Sequence, residues 1–387
     1  MRLAQLVFVG LLSFAYDLNA SDVLGTKNNP AIVEFEQAFT NGRTIFGSIE
    51  ERMALYRVPG LSIARVKNGT LLWAKGYGVK EAGTREFVDN DTVFSVGSIS
   101  KVVTAAVSLK LTEINLLDID VHVSQYLTRW RIPANPHSKI TPVTLRQIMS
   151  HTAGFNVPGF NNFLPDSPLP TLVQILNGHA PAQNLPIEIV SQPSSEMRYS
   201  GGGTMVQELI IEEVTNKDFA LVAKEQIFSS LNMLRSTFTN PLSKNHGNIA
   251  KAHDRKGDVT ALPRGWESMP ERAASGLWTT PSDLSKLMIM LIHSYQTKSP
   301  HRLRYLLSPK TVRDMLTPVQ PGAFGLGPNL NQSGYFYHGG ANNSYKAYMK
   351  ASYLTGNGIA VFTNGANGAD LVKEVVAVFD RLESQEY

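Results

Sequence analysis

FSVGSISKVVTAAVSLKL, residues 94–111, opens a helical pattern at Ser98 that runs to about Leu117. Ser98 and Lys101 are three residues apart, and on a helix such positions lie on one face about a turn apart. A serine hydroxyl is a poor nucleophile until a base takes its proton, and a neutral amine held beside it can do so. A serine at the start of a helix also has backbone N–H groups and the positive end of the helix dipole where an oxyanion would form. By itself Ser-x-x-Lys is common, and taken alone it describes a capping serine followed by a solvated lysine better than a catalytic pair. The rest of the chain decides.

Upstream, Ala31 to Tyr56 carries helical spacing through Ile32, Phe35, Phe39, Ile45, Ile49 and Met53, and Val58-Pro59-Gly60 breaks it. LSIARVKNGTLLWAKGYG, residues 61–78, alternates around Asn68-Gly69, the dipeptide of a type I′ turn, and predicts a β-hairpin. Downstream, residues 118–270 mix helices with Pro- and Gly-rich connections. PGFNNFLPDSPLP (158–170) predicts a surface loop, and TMVQELIIEEVTNKDFALVAKEQIF (204–228) one or two amphipathic helices. Strands return in SGYFYHGG (333–340), NSYKAYMKASYL (343–354) and GIAVFTNG (358–365), and a helix from about Ala369 to Leu382 closes the chain.

Two further motifs bear on the chemistry. Tyr199-Ser200-Gly201, followed by Gly202-Gly203, supplies a phenol able to relay a proton beside a lysine. His338-Gly339-Gly340 ends a strand, and its glycines let a substrate lie against the strand edge. The ordered set Ser-x-x-Lys, Tyr-Ser-x and His-x-Gly resembles the serine β-lactamase/penicillin-binding-protein superfamily. The branch it looks most like holds class C β-lactamases, DD-peptidases, D-aminopeptidases and family VIII esterases. VPGLSIARVKNG, FSVGSISK, TLRQIMSHTAGF, ASGLWTTPSDLSKLM and HGGANNSYKAYM extend the resemblance, in order, over roughly residues 30–385.

That resemblance implies a division of labour. Ser98 would be the acylated nucleophile, Lys101 its base or base partner, and Tyr199 the proton shuttle to and from the leaving group. The backbone N–H groups of Ser98 and Ala341 would form the oxyanion hole, with Gly339, Gly340 and Gly201 lining the substrate. Two positions depart from the family pattern. Gly201 stands where many relatives carry Asn, which removes a side-chain amide and is expected to loosen the turn. His338 stands where true β-lactamases carry Lys, and is expected to be a weaker, pH-dependent partner for a substrate carboxylate, titrating near its ordinary value of about 6.5. Both favour an esterase or D-amino-acid peptidase/amidase over a β-lactamase. The rival from another class is a penicillin-binding or sensor-like protein that is acylated but barely turns over. His151, inside HTAGF, is assigned to packing or hydrogen bonding.

The expected fold is α/β (α+β), with a mainly antiparallel sheet built from both terminal segments (about 21–95 and 270–387) and flanked by helices. A mostly helical subdomain, about 96–269, would be inserted between them. The 387 residues are 43% hydrophobic and 18% charged, which is ordinary globular composition. The net charge of +4 comes from scattered residues, 36 basic against 32 acidic, and gives no nucleic-acid footprint. With no cysteine, disulfides, thiolate metal sites and a cysteine nucleophile are excluded. His253, Asp254 and Asp283 have no partners at metal-ligand spacing, so neither metal nor cofactor is expected. Arg2, the apolar stretch from Leu3 to Tyr16, and Leu18-Asn19-Ala20 read as a signal peptide cut near Ala20. The mature chain would then be secreted or periplasmic, with no permanent membrane span, acting on a small-molecule or peptide substrate.

Overall fold

The computed structural model describes residues 29–41, 47–140, 142–297 and 306–385; the expected signal peptide lies outside them. The first helical stretch resolves into two helices, α1 (Pro30–Thr40) and α2 (Ile49–Tyr56). The restart has a local cause: Ser48 and Glu51 form a reciprocal capping box, which satisfies two of the free N–H groups of a new helix.

The hairpin forms as expected from β1 (Gly60–Lys67) and β2 (Thr70–Gly78). Asn68 and Gly69 have φ of +49° and +71°, the two positive values a type I′ turn needs. Phe94–Ser95 (β3) then pairs antiparallel with Trp278–Thr279 (β4), which pins the residues just before Ser98 to a segment far along the chain. The late strands are β5 (Asn329–Leu330), β6 (Tyr335–Asn342), β7 (Tyr345–Ser352) and β8 (Gly358–Thr363). Apart from β3 and β4, the strands form one sheet in the order β2-β1-β8-β7-β6-β5, with every pair antiparallel. Segments near the two ends of the chain thus share a sheet, the architecture the sequence predicts.

Strand β8 is central and buried throughout, and its period of two divides the molecule into two layers. Ile359 and Val361 join Phe35, Trp73, Leu371 and Phe379 in a core under α1, α2 and the closing helix Gly368–Gln385. Ala360 and Phe362 face the other way, into a core with Phe94, Ile99, Leu209 and Met288. That second core continues without a break through the helices between β3 and β4. Among these are α3 (Ser100–Glu113) and α4 (Gly201–Thr215); α5 (Arg272–Ser275) and α6 (Pro281–Gln296) border β4. The 204–228 stretch breaks at Asn216, which takes a left-handed φ of +51°, and a new helix starts behind the Asp218 cap. Helices α3 and α4 are not amphipathic where they matter. Ser100–Leu109 and Gly201–Ile211 are buried on every side, as helices inside a core must be.

Candidate active site

Ser98 sits in a single 3₁₀ turn, Gly97–Ile99, that leads into α3. From Thr92 to Leu109 it is the one residue that is not buried. Its neighbours shape this opening. Ser100 Oγ donates to Gly97 O at 2.6 Å and accepts from Leu277 N at 2.9 Å, locking the turn against the segment behind α5. Lys101 is 4% exposed, yet its Nζ is well supplied: it donates to Ser98 Oγ at 3.0 Å and to Ala274 O at 2.8 Å. Nζ also lies 5.0 Å from the centroid of the Tyr199 ring, within cation–π range. A hydroxyl held at 3.0 Å from an amine, on the only open residue of a buried run, is an arrangement in which that hydroxyl can lose its proton and attack.

Strand β6 passes directly against this turn. A Cβ on Gly97 (φ +49°) would come within 2.7 Å of Ala341 N, and one on Gly340 would overlap Val96 O and sit 3.3 Å from Ser98 N. Both glycines are therefore required by the close approach of two backbones. That approach brings the Ala341 N–H alongside Ser98, with Ala341 and Gly339 exposed on the strand. Buried Asn342 fixes the end of β6 by donating to Ser95 Oγ at 2.6 Å.

The far wall is aromatic. The Tyr199 ring lies 4.3 Å from that of His151, 6.0 Å from Phe324 and 6.2 Å from His338. His151 is buried at a left-handed φ of +60°, and its Nδ1 accepts from Ser200 N at 3.2 Å. That bond assigns the ring proton to Nε2. His338 has the opposite tautomer, because its Nδ1 lies 2.6 Å from Gly339 O and must donate. Both Nε2 atoms are buried with no hydrogen-bond partner. Burial and the nearby Lys101 hold both imidazoles neutral: His151 is pushed well below its ordinary value, and His338 down to about 4.

Two expectations change here. His338 was expected to face a substrate carboxylate and to gain charge near pH 6.5. It is 3% exposed, with Nε2 closed off and titration displaced to about 4, so near neutral pH it is a buried neutral wall. Gly201 was expected to loosen its turn. Instead it is the buried first residue of α4, its N–H donates to Pro158 O at 3.2 Å, and Ser200 caps the helix by accepting from Gly203 N. A Cβ there would meet Phe160 Cε2 at 2.9 Å. Thus a phenylalanine from the 158–170 loop occupies the space that a side chain at 201 would need.

The structure brings Ser98, Lys101, Tyr199, His338, Gly340 and Ala341 together around one opening. The sequence did not show Phe160, Phe324 or the Ala274 carbonyl. No local signal marks a backbone carbonyl as a lysine acceptor, and a loop phenylalanine reads as an ordinary apolar residue. Among the described residues, no group of three or more His, Cys, Asp or Glu side chains is placed to hold a metal ion. No described helix is long and apolar enough to cross a membrane.

A sheet of this order, with a serine and lysine at the mouth of a buried helix, defines a β-lactamase/transpeptidase-type architecture. Residues 47–381 match the family model described as Beta-lactamase, and the chain belongs to that family. It is 24% identical over 335 residues to Protein flp of Staphylococcus aureus (strain MRSA252), covering 82% of this chain and 61% of that protein. The chain thus spans less than two thirds of this relative's length. Its fold is similar to EstCE1, a hydrolase with promiscuous acyltransferase activity (TM-score 0.68, 18% identity, 90% of this chain and 99% of the other). It is also similar to the D-amino acid amidase of Ochrobactrum anthropi SV3 (TM-score 0.66, 18% identity, again 90% and 99%).

Proposed function

We propose that this protein is an exported serine hydrolase that works through an acyl-enzyme at Ser98, on an ester, an amide or a D-amino-acid peptide bond. The observation that carries the reading is the Ser98 hydroxyl, alone open in a buried run, with Lys101 Nζ at 3.0 Å. From its neutral amine form, Lys101 takes the hydroxyl proton as Ser98 Oγ bonds to the substrate carbonyl carbon. The N–H groups of Ser98 and Ala341 donate hydrogen bonds to the developing oxyanion. As the carbonyl re-forms, the bond to the alcohol or amine breaks, and Tyr199 passes a proton to that leaving group. Water then attacks the acyl-enzyme by the same route in reverse.

The walls favour an uncharged substrate. His338 offers no cation for a carboxylate at neutral pH, and Phe160 replaces a polar side chain beside Gly201. Loss of a charge-assisted contact costs about 1.5–3 kcal/mol, and loss of a neutral hydrogen bond about 1 kcal/mol. Together these predict that p-nitrophenyl acetate or butyrate is hydrolysed with kcat/KM well above that for a chromogenic cephalosporin, with Ser98→Ala inactive on both. D-alanyl peptides in the same panel separate peptidase from esterase. Because His338 titrates near 4, cephalosporin activity should not rise as pH falls through 6.5. Faster cephalosporin turnover at neutral pH would overturn the substrate assignment. A burst of one product equivalent followed by no turnover would convert the hydrolase into an acylated binding protein. Export is tested separately: N-terminal sequencing of secreted material should begin near Ser21, and an intact Met1 would reject cleavage.

A further inference from the structure

Behind Lys101 lies a short platform whose support comes from the helix that Tyr199 leads into. Three consecutive carbonyls of α5 receive donors from the site. Ala273 O accepts from Thr104 Oγ1 at 2.9 Å, Ala274 O from Lys101 Nζ at 2.8 Å, and Ser275 O from Asn342 Nδ2 at 3.4 Å. A four-residue helix cannot hold such a position by its own hydrogen bonds, since it closes hardly one turn. Its position is imposed from below by Glu208, a residue of α4 that is 1% exposed. Glu208 Oε2 accepts from Ala273 N at 2.9 Å, and Oε1 accepts from Arg272 Nε at 2.9 Å. Arg272 is held in turn by Glu212 at 2.8 Å and by Asp218, so its guanidinium cannot swing away.

A buried carboxylate is expensive to desolvate, and one bonded to both a guanidinium and a backbone N–H is placed with little freedom. The Glu208 contact to the turn is directional, unlike the ring contacts around Tyr199. Moreover, Glu208 lies on α4, which begins two residues after Tyr199, so a single helix positions both groups that flank the Ser98 opening.

We infer that Glu208 is a positioning residue for Lys101: it fixes the α5 turn so that the Ala274 carbonyl holds Nζ at Ser98 Oγ. The inference rests on the proposed role of Lys101 in activating Ser98. Substituting Glu208→Gln keeps the shape and an acceptor for Ala273 N, but removes the charge that clamps Arg272. Lys101 then loses a fixed partner on the side away from Ser98, and misplacement of this kind can cost up to about 10²-fold in rate.

The test is the rate of Ser98 labelling by a fluorophosphonate, measured against pH, in wild type, Glu208→Gln, Lys101→Ala and the double variant, with melting temperature recorded for each. The expected result is a loss of at least ~10-fold in Glu208→Gln, an acid limb moved to lower pH, and no further loss when Glu208→Gln is added to Lys101→Ala. Such non-additivity marks residues acting as a unit, whereas a merely structural effect would multiply. Arg272→Lys keeps the buried charge balance and loses only the forked geometry. It should show the same signature more weakly, and it carries the test if Glu208→Gln does not fold. Wild-type labelling and pH profile in the folded variant, or losses that multiply in the double variant, would overturn the inference. Normal labelling in Lys101→Ala would instead bring down the hydrolase reading itself, so the two failures are distinct.

Discussion

The two sides of Ser98 are built by different physics. On the lysine side, Nζ, Ser100 Oγ, Thr104 Oγ1 and Glu208 each meet named partners at 2.6–3.0 Å. On the tyrosine side, His151, Tyr199, Phe324 and His338 meet ring to ring at 4.3–6.2 Å, and two imidazole nitrogens have no partner at all. Hydrogen bonds are directional and fix an atom's position, while ring contacts exclude water and tolerate displacement. The lysine side is therefore suited to placing a proton acceptor, and the aromatic side to deciding what may lie over the serine.

The sharpest way to break this comparison is to remove one group from each side. Lys101→Ala should slow fluorophosphonate labelling of Ser98 by ~10²–10⁴-fold, the usual size for a lost general base, and leave a rate that can still be measured. Tyr199→Phe keeps the ring wall and loses only the relay, so labelling should survive while turnover falls by ~10²-fold, a usual size for lost proton transfer. Peptide mapping locates the adduct, and an adduct on Ser200 would contradict the whole arrangement.

The two sides should also answer pH in opposite senses. His151 and His338 are held neutral in the fold, so below pH ~6.5 the unfolded chain binds more protons than the folded one, and stability falls as pH drops toward 4. Glu271, beside the platform on the lysine side, is 1% exposed with an unpartnered Oε2, and burial near Glu208 pushes its carboxyl up to about 8. Its contribution is present below its ordinary value and lost as pH rises through 8. Glu271→Gln should therefore stabilise the protein most at pH 9, by a few kcal/mol at most (about 1.4 kcal/mol per pH unit of displacement), and little at pH 5. Thermal melts of wild type, Glu271→Gln and His338→Gln across pH 5–9 read both limbs. An equal gain at both ends of the range for Glu271→Gln would refute the assignment.

The smallest effect concerns the fit of the aromatic side to its loop. Gly201→Asn must push the ring edge of half-buried Phe160 from 2.9 Å contact, and because a loop ring can give way the cost should be at the low end of overpacking, about 1 kcal/mol. Phe160→Ala in the same chain should recover most of that loss in melting temperature. If Gly201→Asn is neutral by itself, the space beside Gly201 is open after all, and the case for an apolar neighbour there fails.

Much of this was legible along the chain. The Asn68-Gly69 turn, the alternation in β6 and β7 and the Ser98/Lys101 spacing each rest on interactions within a few residues, and each appears where the pattern puts it. The helical periodicity was less informative for α3 and α4, because a helix buried on all sides shows no polar stripe. The break at Ser48 was missed, although Ser48 and Glu51 carry the capping signature three residues apart.

By itself the sequence determined the hairpin and the three late strands but not the short edge strand β5, and it supplied the serine–lysine pair with the tyrosine and histidine that accompany them, because residue type and local spacing carry that information. Only the tertiary structure decided their states. The charge of His338 depends on how deeply it is buried and on Lys101 across the site, the surroundings of Gly201 depend on a phenylalanine about forty positions away in the chain, and the hold on Lys101 comes from a backbone carbonyl. Desolvation, close packing and carbonyl positions arise when distant segments meet, so no local pattern of residues can encode them.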